Sequence, residues 1–215
     1  MKDIAIYGAG GLGREVASAL SNIICDSPDG WNLVGFFDDG YEIGTEIFNS
    51  AKILGGMKEL NEWDRPLCVA LCFGSPATMK AVSSRLSNPN LSFPNLICKS
   101  VYIGDRNTFR IGKGNIIQGT SEMTVNVSLG DFNLLNGDVV LGHDVNIGNC
   151  NILMPGCRIS GEVTMGDCCL IGAMAFVKQQ LRLGDHVTLS PLSALLTKPK
   201  DNALYIGNPA KRLKY

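Results

Sequence analysis

Large aliphatic residues recur at every sixth position through the second half of the chain. They occupy all fifteen positions reached by steps of six from residue 111, namely Ile111, Ile117, Met123, Leu129, Leu135, Leu141, Ile147, Leu153, Ile159, Met165, Ile171, Val177, Leu183, Leu189 and Leu195. Four places after most of them comes a small residue, as at Ser121, Val139 and Ala175. Because side chains alternate along a strand, the large residue and the small residue point to the same interior. The pattern therefore predicts a series of short strands separated by bends.

A repeat of six residues predicts a three-sided coil, in which three strands and three bends complete one turn. Residues 111–198 then form about five coils of a parallel β-helix built from hexapeptide repeats. Ile97 and Ile103 follow a different register from the later repeats. This difference predicts a slip of two residues, near Phe109 and Arg110, in a leading coil.

Residues 1–90 show a different pattern, in which apolar strand-like runs alternate with helical runs. The predicted strands are Asp3–Tyr7, Trp31–Phe37, Ile53–Gly56 and Leu67–Phe73. One helix is predicted to run from the glycines after Tyr7 to about Ile23, and another from Ala77 to Leu86. Strands that alternate with helices predict an α/β unit with a parallel sheet.

The junction between the two halves is marked by turn-forming residues, Asn88-Pro89-Asn90 and Pro94. We therefore expect an N-terminal Rossmann-like half-domain over residues 1–92, followed by a β-helix over residues 93–215.

A glycine-rich motif follows the first predicted strand and opens the first predicted helix. Its spacing is Gly8-x-Gly10-x-x-Gly13, with a further glycine at Gly11. Glycines let a phosphate approach the backbone, and a helix N-terminus presents free N–H groups to an anion. Asp38 ends the second predicted strand, where a carboxylate can accept from a ribose hydroxyl or a base. The small unit suits a mononucleotide-type ligand such as a nucleotide-sugar; the alternative is that the glycines only serve a tight strand–helix turn.

Composition excludes several classes of function. The net charge is −1 and the basic residues are scattered, so we expect no nucleic-acid partner. No apolar run is long enough to cross a bilayer, so we expect no membrane span. The eight cysteines form no Cys-x-x-Cys pair and there are only two histidines, so we expect no metal site. Thiols without a disulfide framework suit a cytoplasmic protein.

One histidine is a candidate general base for acyl transfer, a reaction that needs a base for the acceptor's proton and donors for the oxyanion. His143 lies two places after Leu141, at a predicted corner, and is followed by Asp144, which can hold the imidazole tautomer. One coil later, 18 residues on, the stacked position is Gly161, which leaves bare backbone beside His143 for a thioester. His186 is a poorer candidate, because its repeat falls on another face and its side chain is expected in solvent.

Seven short segments extend over nearly the whole chain in a specific order and spacing. They are 8–15, 35–39, 53–56, 142–148, 155–157, 171–173 and 206–211, which read GAGGLGRE, GFFDD, ILGG, GHDVNIG, PGC, IGA and IGNPAK. In this order they resemble the NeuD/PglD family of sugar acyltransferases, in the hexapeptide-repeat superfamily.

The resemblance implies a left-handed β-helix, an acetyl-CoA donor, and a homotrimer with donor grooves between neighbouring prisms. It implies that His143 is the general base and Asp144 its acidic partner. Gly161 and Ala173 fall where backbone amides contact the acetyl and pantetheine parts of the donor. The first domain is then expected to hold the acceptor's nucleotide through Gly8, Gly10, Gly11, Gly13 and Asp38.

The chain departs from the family at two places. Family members often carry a second histidine nine residues after the first, where this chain has Ile152. A late glycine-rich turn is replaced by Ser190-Pro191-Leu192-Ser193. Both departures concern the donor and leave the base assignment as it is.

These observations predict an acyltransferase that moves acetyl from acetyl-CoA to a nucleotide-linked amino sugar in glycan precursor synthesis. One alternative keeps the fold and makes the acceptor a sugar hydroxyl, such as one on sialic acid. Another is a non-catalytic trimeric module that binds CoA and nucleotide-sugar, against which His143 and Asp144 argue. An oxidoreductase or a nucleotidyltransferase would need a larger first domain, and a carbonic anhydrase would need three histidine ligands.

Overall fold

The computed structural model describes residues 1–25 and 29–213, and the first of its two domains is built on a six-stranded sheet. The strands of this sheet are β1 (Lys2–Tyr7), β2 (Trp31–Phe37), β3 (Glu46–Phe48), β4 (Ala51–Gly55), β5 (Leu67–Leu71) and β6 (Leu91–Ser92). Their order in space is β3-β4-β2-β1-β5-β6. Neighbouring strands are parallel except β3 and β4, which are antiparallel. The predicted α/β unit with a parallel sheet is confirmed.

Three helices accompany this sheet: α1 (Gly11–Ala19), which continues into a 3-10 turn (Leu20–Asn22), α2 (Met57–Asn61) and α3 (Pro76–Arg85). Helix α1 begins after Gly10, which has no side chain to cap it, so the N–H groups of its first turn have no partner within the helix. Helix α3 begins after Ser75, whose hydroxyl accepts from the Thr78 amide at 3.3 Å. Within the described residues, none of these helices is long and apolar enough to cross a bilayer.

The sequence pattern misses three short elements of the first domain, namely β3, α2 and β6. None of them exceeds five residues, which is too short for a hydrophobic period to stand out. The four strands predicted from the sequence therefore form part of a sheet of six.

The second domain is a parallel β-helix with three sides. The covered side has eight strands: Leu96–Ile97, Ile116–Ile117, Leu134–Leu135, Ile152–Leu153, Leu170–Ile171, Thr188–Leu189, Leu204–Ile206 and the antiparallel Lys211–Arg212. The mixed side has six: Tyr102–Ile103, Glu122–Met123, Val140–Leu141, Arg158–Ile159, Phe176–Val177 and Ala194–Leu195. The polar side has five: Arg110–Ile111, Ser128–Leu129, Asn146–Ile147, Thr164–Met165 and Arg182–Leu183.

Three corners join these sides, and each is named here by one of its residues. The His143 corner joins the mixed side to the polar side. The His186 corner joins the polar side to the covered side, and the Ala173 corner joins the covered side to the mixed side. Each corner recurs once per coil, so residues 18 apart are stacked along the prism, as Leu134 is on Ile152.

The interior of the β-helix confirms the period of six. The large aliphatic residues point inward, and Ile117, Leu135 and Leu153 are completely buried. The predicted small inward positions are all at most 2% exposed: Ser121, Val127, Val139, Val145, Cys157, Val163, Cys169, Ala175, Val187 and Ser193.

A ladder of asparagines also lies in the interior. Asn115, Asn133 and Asn151 occupy the small inward position in three successive coils, and each is at most 1% exposed. Oδ1 of Asn115 accepts from the backbone and side-chain amides of Asn133 at 2.9 and 3.0 Å, and Asn133 accepts from Asn151 in the same way. Because each buried amide is satisfied by the neighbouring coil, the ladder holds successive coils in one register.

The predicted slip in the leading coil is confirmed. Leu96 pairs with Ile116, an interval of 20 residues, whereas Ile116 pairs with Leu134 at the regular interval of 18. The two additional residues lie between Ile103 and Ile111, in the first turn of the His143 corner.

The first domain packs on the covered side of the prism. The outward residues of its first four strands are apolar and at most 2% exposed: Leu96, Ile116, Leu134 and Ile152. They belong to the same apolar cluster as Val16 and Leu20 of the α1 segment. On the polar side the outward residues Asn146, Thr164 and Arg182 are exposed. Burial under the first domain gives Ile152, one of the departures from the family, a structural role.

Candidate active site

His143 and Asp144 form a hydrogen-bonded pair on the His143 corner. Nδ1 of His143 lies 2.8 Å from Oδ2 of Asp144. The backbone of Asp144 is left-handed, with φ of 60°, and its amide donates to the Val125 carbonyl at 2.9 Å. The two side chains are 48% and 47% exposed. The structure therefore brings the predicted base and its acidic partner together on an open corner of the prism.

The ionisation of Asp144 determines which nitrogen of His143 carries the proton. Hydrogen bonds from His143 and from Asn126 lower the pKa of the Asp144 carboxyl below its usual range. An ionised carboxylate only accepts hydrogen bonds, so Nδ1 of the neutral imidazole must donate to it. Nε2 then keeps a lone pair with which to accept a proton from a bound molecule.

Gly161 lies directly against the ring of His143, one coil further along the prism. A Cβ atom at Gly161 would overlap Nε2, Cε1 and Cδ2 of the imidazole. The Glu162 amide donates to the His143 carbonyl at 2.8 Å, which fixes this stacking. Among the hydrogen bonds between described residues, the Gly161 amide has no acceptor. The amide of this buried glycine is therefore a candidate donor for a group bound beside His143.

The other histidine lies on a different corner, as the repeat predicts. The His186 amide donates to the Asp167 carbonyl at 2.9 Å, and the residue is exposed. Ala173 is also separate from His143, because it lies across the mixed side on its own corner. Within one chain the structure brings Gly161 to His143 but does not bring Ala173 there.

The glycines of the first loop divide into two pairs. A Cβ at Gly8 would overlap the Cys72 carbonyl, and one at Gly13 would overlap the Gly8 carbonyl, so both are required by packing. Gly10 and Gly11 are exposed and have no atom within 4 Å of an added Cβ. The packing interpretation therefore applies to Gly8 and Gly13, and ligand binding at Gly10 and Gly11 stays a prediction. The open pair lies where the first N–H groups of α1 face solvent.

Asp38 binds the glycine loop itself. Its Oδ2 accepts from the Ala9 amide at 2.8 Å, and its Oδ1 accepts from the Gly40 amide at 2.9 Å. Each carboxylate oxygen is thus engaged by backbone, and Oδ2 holds the glycine loop. A direct contact between Asp38 and a bound nucleotide remains a prediction.

Asp39, the next residue, joins β1 to α2. It accepts from the Tyr7 hydroxyl and, at 2.9 Å, from the Met57 amide. Burial raises the pKa of Asp39, but the hydrogen bonds from Tyr7 and Met57 outweigh it and leave the pKa lowered. Burial, reinforced by the bond to Asp39, raises the pKa of the Tyr7 hydroxyl, so Tyr7 remains a donor at neutral pH.

The loop after β5 adds residues to this crevice that sequence reasoning misses. The Phe73 ring meets the Tyr7 ring edge-on, with centroids 5.3 Å apart, and lies beside Gly8. Gly74 has open space around its Cα, and Ser75 begins α3. The strand order reverses between β1 and β5, and ligands of open α/β sheets bind at that point. Only this reversal of strand order indicates that the loop after β5 belongs to the crevice, and short-range sequence patterns do not reveal strand order.

A groove of about 350 Å³ lies between α1 and the Ala173 corner. Its lining includes Glu15, Asn22, Ser100, Gln118 and Asn136. The groove joins the helix that follows the glycine loop to the surface of the β-helix.

The His143 corner lies on the far side of the prism from the first domain of the same chain. Helix α1 reaches the Ala173 corner through the groove. Helix α3 reaches the His186 corner, where Met79 belongs to an apolar cluster with Phe132 and Cys150. Both edges of the covered side are thus in contact with the first domain, and the third corner of a triangular coil is opposite that side. The glycine loop and His143 of one chain do not share a pocket.

The described residues offer no cluster of metal ligands, and three of the buried thiols are poor nucleophiles. Among the described residues, no group of three or more His, Cys, Asp or Glu side chains could hold a metal ion. Burial raises the pKa of the thiols of Cys72, Cys157 and Cys169, which makes them poor nucleophiles.

Comparison with protein families identifies the first domain. Residues 3–86 match the family model of the PglD N-terminal domain. The predicted resemblance is confirmed for this domain. No curated protein matches the chain by sequence.

Solved structures share the fold of this chain over nearly its whole length. The acetyltransferase domain of PglB from Neisseria gonorrhoeae FA1090 has a TM-score of 0.86 at 22% identity, with 99% of this chain and 100% of that chain covered. PerB from Caulobacter crescentus, in complex with CoA and GDP-perosamine, has a TM-score of 0.87 at 19% identity, with 100% and 98% covered. A histidine-to-asparagine mutant of perosamine N-acetyltransferase from Caulobacter crescentus, with the same ligands, has a TM-score of 0.70 at 17% identity, with 100% and 98% covered. These likenesses confirm the predicted fold, a Rossmann-like N-terminal domain followed along the chain by a left-handed β-helix.

Proposed function

We propose that this protein transfers acetyl from acetyl-CoA to the amino group of a nucleotide-linked sugar. The observation that carries the proposal is the stacking of His143, oriented by Asp144, on the bare backbone of Gly161. This arrangement offers a proton acceptor and a backbone donor side by side, which are the two groups that acyl transfer requires.

The proposed reaction begins with a neutral amine beside Nε2 of His143. The amine nitrogen attacks the thioester carbonyl carbon while Nε2 accepts its proton. The carbonyl oxygen becomes an oxyanion, to which the Gly161 amide donates. When the carbon–sulfur bond breaks, the imidazolium returns the proton to the CoA thiolate. The products are the acetylated sugar and CoA, and His143 is restored.

We further propose that the active site is completed by a second chain in a trimer. The support is the position of His143 on the corner opposite its own first domain. A neighbouring chain that brings its Ala173 corner and the groove beside its α1 to this His143 would place the acceptor beside the base. The donor would then lie between the two prisms, in contact with Gly161 of one chain and Ala173 of the other.

The acceptor's phosphates are proposed to lie over Gly10 and Gly11, where the first N–H groups of α1 are free to bind an anion. Gly8 and Gly13 shape the loop, and Asp38 holds it through the Ala9 amide. Phe73 and Gly74 would form the neighbouring wall of the crevice. The sugar would extend from the loop along the groove beside α1.

The structural neighbours support this choice of donor and acceptor. The PglB acetyltransferase domain is also known in complex with acetyl-CoA. The Caulobacter crescentus protein is named as an N-acetyltransferase and is bound to CoA and GDP-perosamine, a nucleotide-linked amino sugar. We place the protein in the cytoplasm, because acetyl-CoA is found there and the buried cysteines are unpaired thiols.

CoA release in the presence of paired acceptors tests the proposal. Nucleotide-linked amino sugars and their hydroxyl counterparts would be compared for the wild type and for His143→Gln. We expect release with at least one amino sugar, little with its hydroxyl counterpart, and a large loss in the variant. The absence of both acetyl-CoA binding and release with every acceptor would refute the proposal.

A further inference from the structure

The carboxylate of Asp144 is held from two sides. Its Oδ2 lies 2.8 Å from Nδ1 of His143. Its Oδ1 accepts a hydrogen bond from Nδ2 of Asn126, also at 2.8 Å. Asn126 lies 18 residues before Asp144, at the same position one coil earlier on the His143 corner.

Asn126 is itself fixed by the leading coil. Its backbone is left-handed, with φ of 56°, a conformation that asparagine tolerates. The backbone amide of Asn126 donates to Oγ1 of Thr108 at 3.0 Å, and the Thr108 hydroxyl donates to Oδ2 of Asp105 at 3.2 Å. Thr108 lies within the two-residue slip, so the irregular turn supports a chain of contacts that ends at His143.

We propose that Asn126 is a positioning residue, which holds the Asp144 carboxylate so that the proton of His143 stays on Nδ1. This inference rests on the proposed function of His143 as the base. Asn126 itself touches neither substrate nor the reacting nitrogen, and acts only through Asp144.

The need for such a residue follows from exposure. The side chains of His143 and Asp144 are 48% and 47% exposed. Exposed ion pairs and hydrogen bonds contribute little and are readily exchanged for water. An imidazole without its partner can place the proton on either nitrogen, and a proton on Nε2 would remove the base. The second bond, from Asn126, restricts the carboxylate to the orientation that faces Nδ1.

Two variants separate this role from a structural one. Asn126→Gly removes the side-chain amide that donates to Asp144 and introduces a residue that readily adopts the left-handed backbone conformation. Asn126→Asp keeps the shape but replaces the donor by a second carboxylate facing Asp144. Ser128→Ala is the matched control, because Oγ of Ser128 donates to Oδ1 of Asn146 at 2.9 Å between the same two coils without reaching Asp144's side chain.

The first readout is the tautomer of His143, measured by nitrogen-15 NMR of the imidazole rings. The chain has two histidines, so His186→Gln assigns the signals. We expect the Nδ1–H form in the wild type and in Ser128→Ala, and a rise of the Nε2–H form in both Asn126 variants. An unchanged tautomer in folded Asn126→Gly and Asn126→Asp would overturn the proposal.

The second readout is a double-mutant cycle with Asp144→Ala. Asn126→Gly should lower kcat roughly tenfold, as loss of a positioning hydrogen bond does, without changing the Kd of acetyl-CoA. In the Asp144→Ala background the same change should have no further effect on kcat, because its route to His143 is gone. Equal losses in both backgrounds would contradict the proposal. The NMR measurement needs no acceptor, so a failure of the proposed reaction would be recognised separately from a failure of this inference.

Discussion

The His143 ring occupies the space that a side chain at Gly161 would need. The backbone of Gly161 is not in the left-handed region. A larger residue there would therefore collide with the imidazole without straining the backbone. This contact joins residues 18 apart and depends on the regular coil between them.

Replacing Gly161 should therefore damage catalysis and leave the fold intact. Gly161→Ala should displace the ring and lower kcat by roughly 10², as a misplacement of about 1 Å does. Gly161→Leu should also block the thioester. Steady-state kinetics and thermal unfolding would be compared with Thr164→Ala, an exposed residue of the same coil. Wild-type kinetics in Gly161→Leu would mean that the donor lies elsewhere.

The two histidines should differ sharply when they are replaced. His143→Ala should lower kcat by roughly 10²–10⁴, because a general base is lost, with little change in the Kd of acetyl-CoA. His186→Ala should be nearly neutral, since that residue is exposed on another corner. Calorimetry for binding and a thiol-release assay for kcat would measure both. Activity of His143→Ala within threefold of the wild type would remove it from the mechanism.

The glycine loop should show two kinds of response. Gly13→Ala should lower the melting temperature, because its Cβ meets the Gly8 carbonyl. Gly10→Ala and Gly11→Ala should leave the melting temperature nearly unchanged, because space there is open, and should raise the KM of the nucleotide-sugar. The Kd of acetyl-CoA should be unaffected by these two. An unchanged KM in both open-position variants would favour a purely structural loop.

The β-helix separated from the first domain should be poorly soluble. Removal of residues 1–92 would expose the outward side chains of Ile116, Leu134 and Ile152 on the covered side. Each such side chain contributes roughly 1.5–3 kcal/mol when it is buried. Replacing all three by threonine should restore solubility to residues 93–215 and preserve trimer formation and CoA binding, as sedimentation and calorimetry would measure. A soluble unmodified fragment would show that the covered side needs no partner.

Much of this site follows from sequence because the β-helix is periodic. The step of 18 residues alone places Gly161 on His143 and puts His186 on another corner. The covered side could also be predicted from the sequence. Ile116, Leu134 and Ile152 each come one place before an inward aliphatic residue, and their spacing of 18 residues forms a second apolar stripe. That stripe was hidden by the stronger period of six.

Other parts of the site depend on contacts that no short-range pattern encodes. The ligand contact expected of Asp38 stays a prediction, and the sequence does not reveal that its oxygens accept from the Ala9 and Gly40 amides. Phe73 enters the crevice only because β5 lies beside β1 in the sheet. The step of 18 residues stacks Asn126 on Asp144, but the hydrogen bond between them also depends on the orientation of the Asn126 side chain, which no sequence pattern gives.

The regular coil also means that the length of the prism changes in units of one complete turn. Inserting or deleting 18 residues after Gly161 would move the C-terminal hairpin, Leu204–Ile206 and Lys211–Arg212, by one strand spacing of about 4.8 Å and leave every side chain on its own side. A change that is not a multiple of six would turn inward residues outward unless a turn absorbs the difference, as the turn between Ile103 and Ile111 does. A change by one or two repeats would keep the core but move every later corner around the axis. The prism can therefore gain or lose length only in whole turns if every side chain is to stay on its own side.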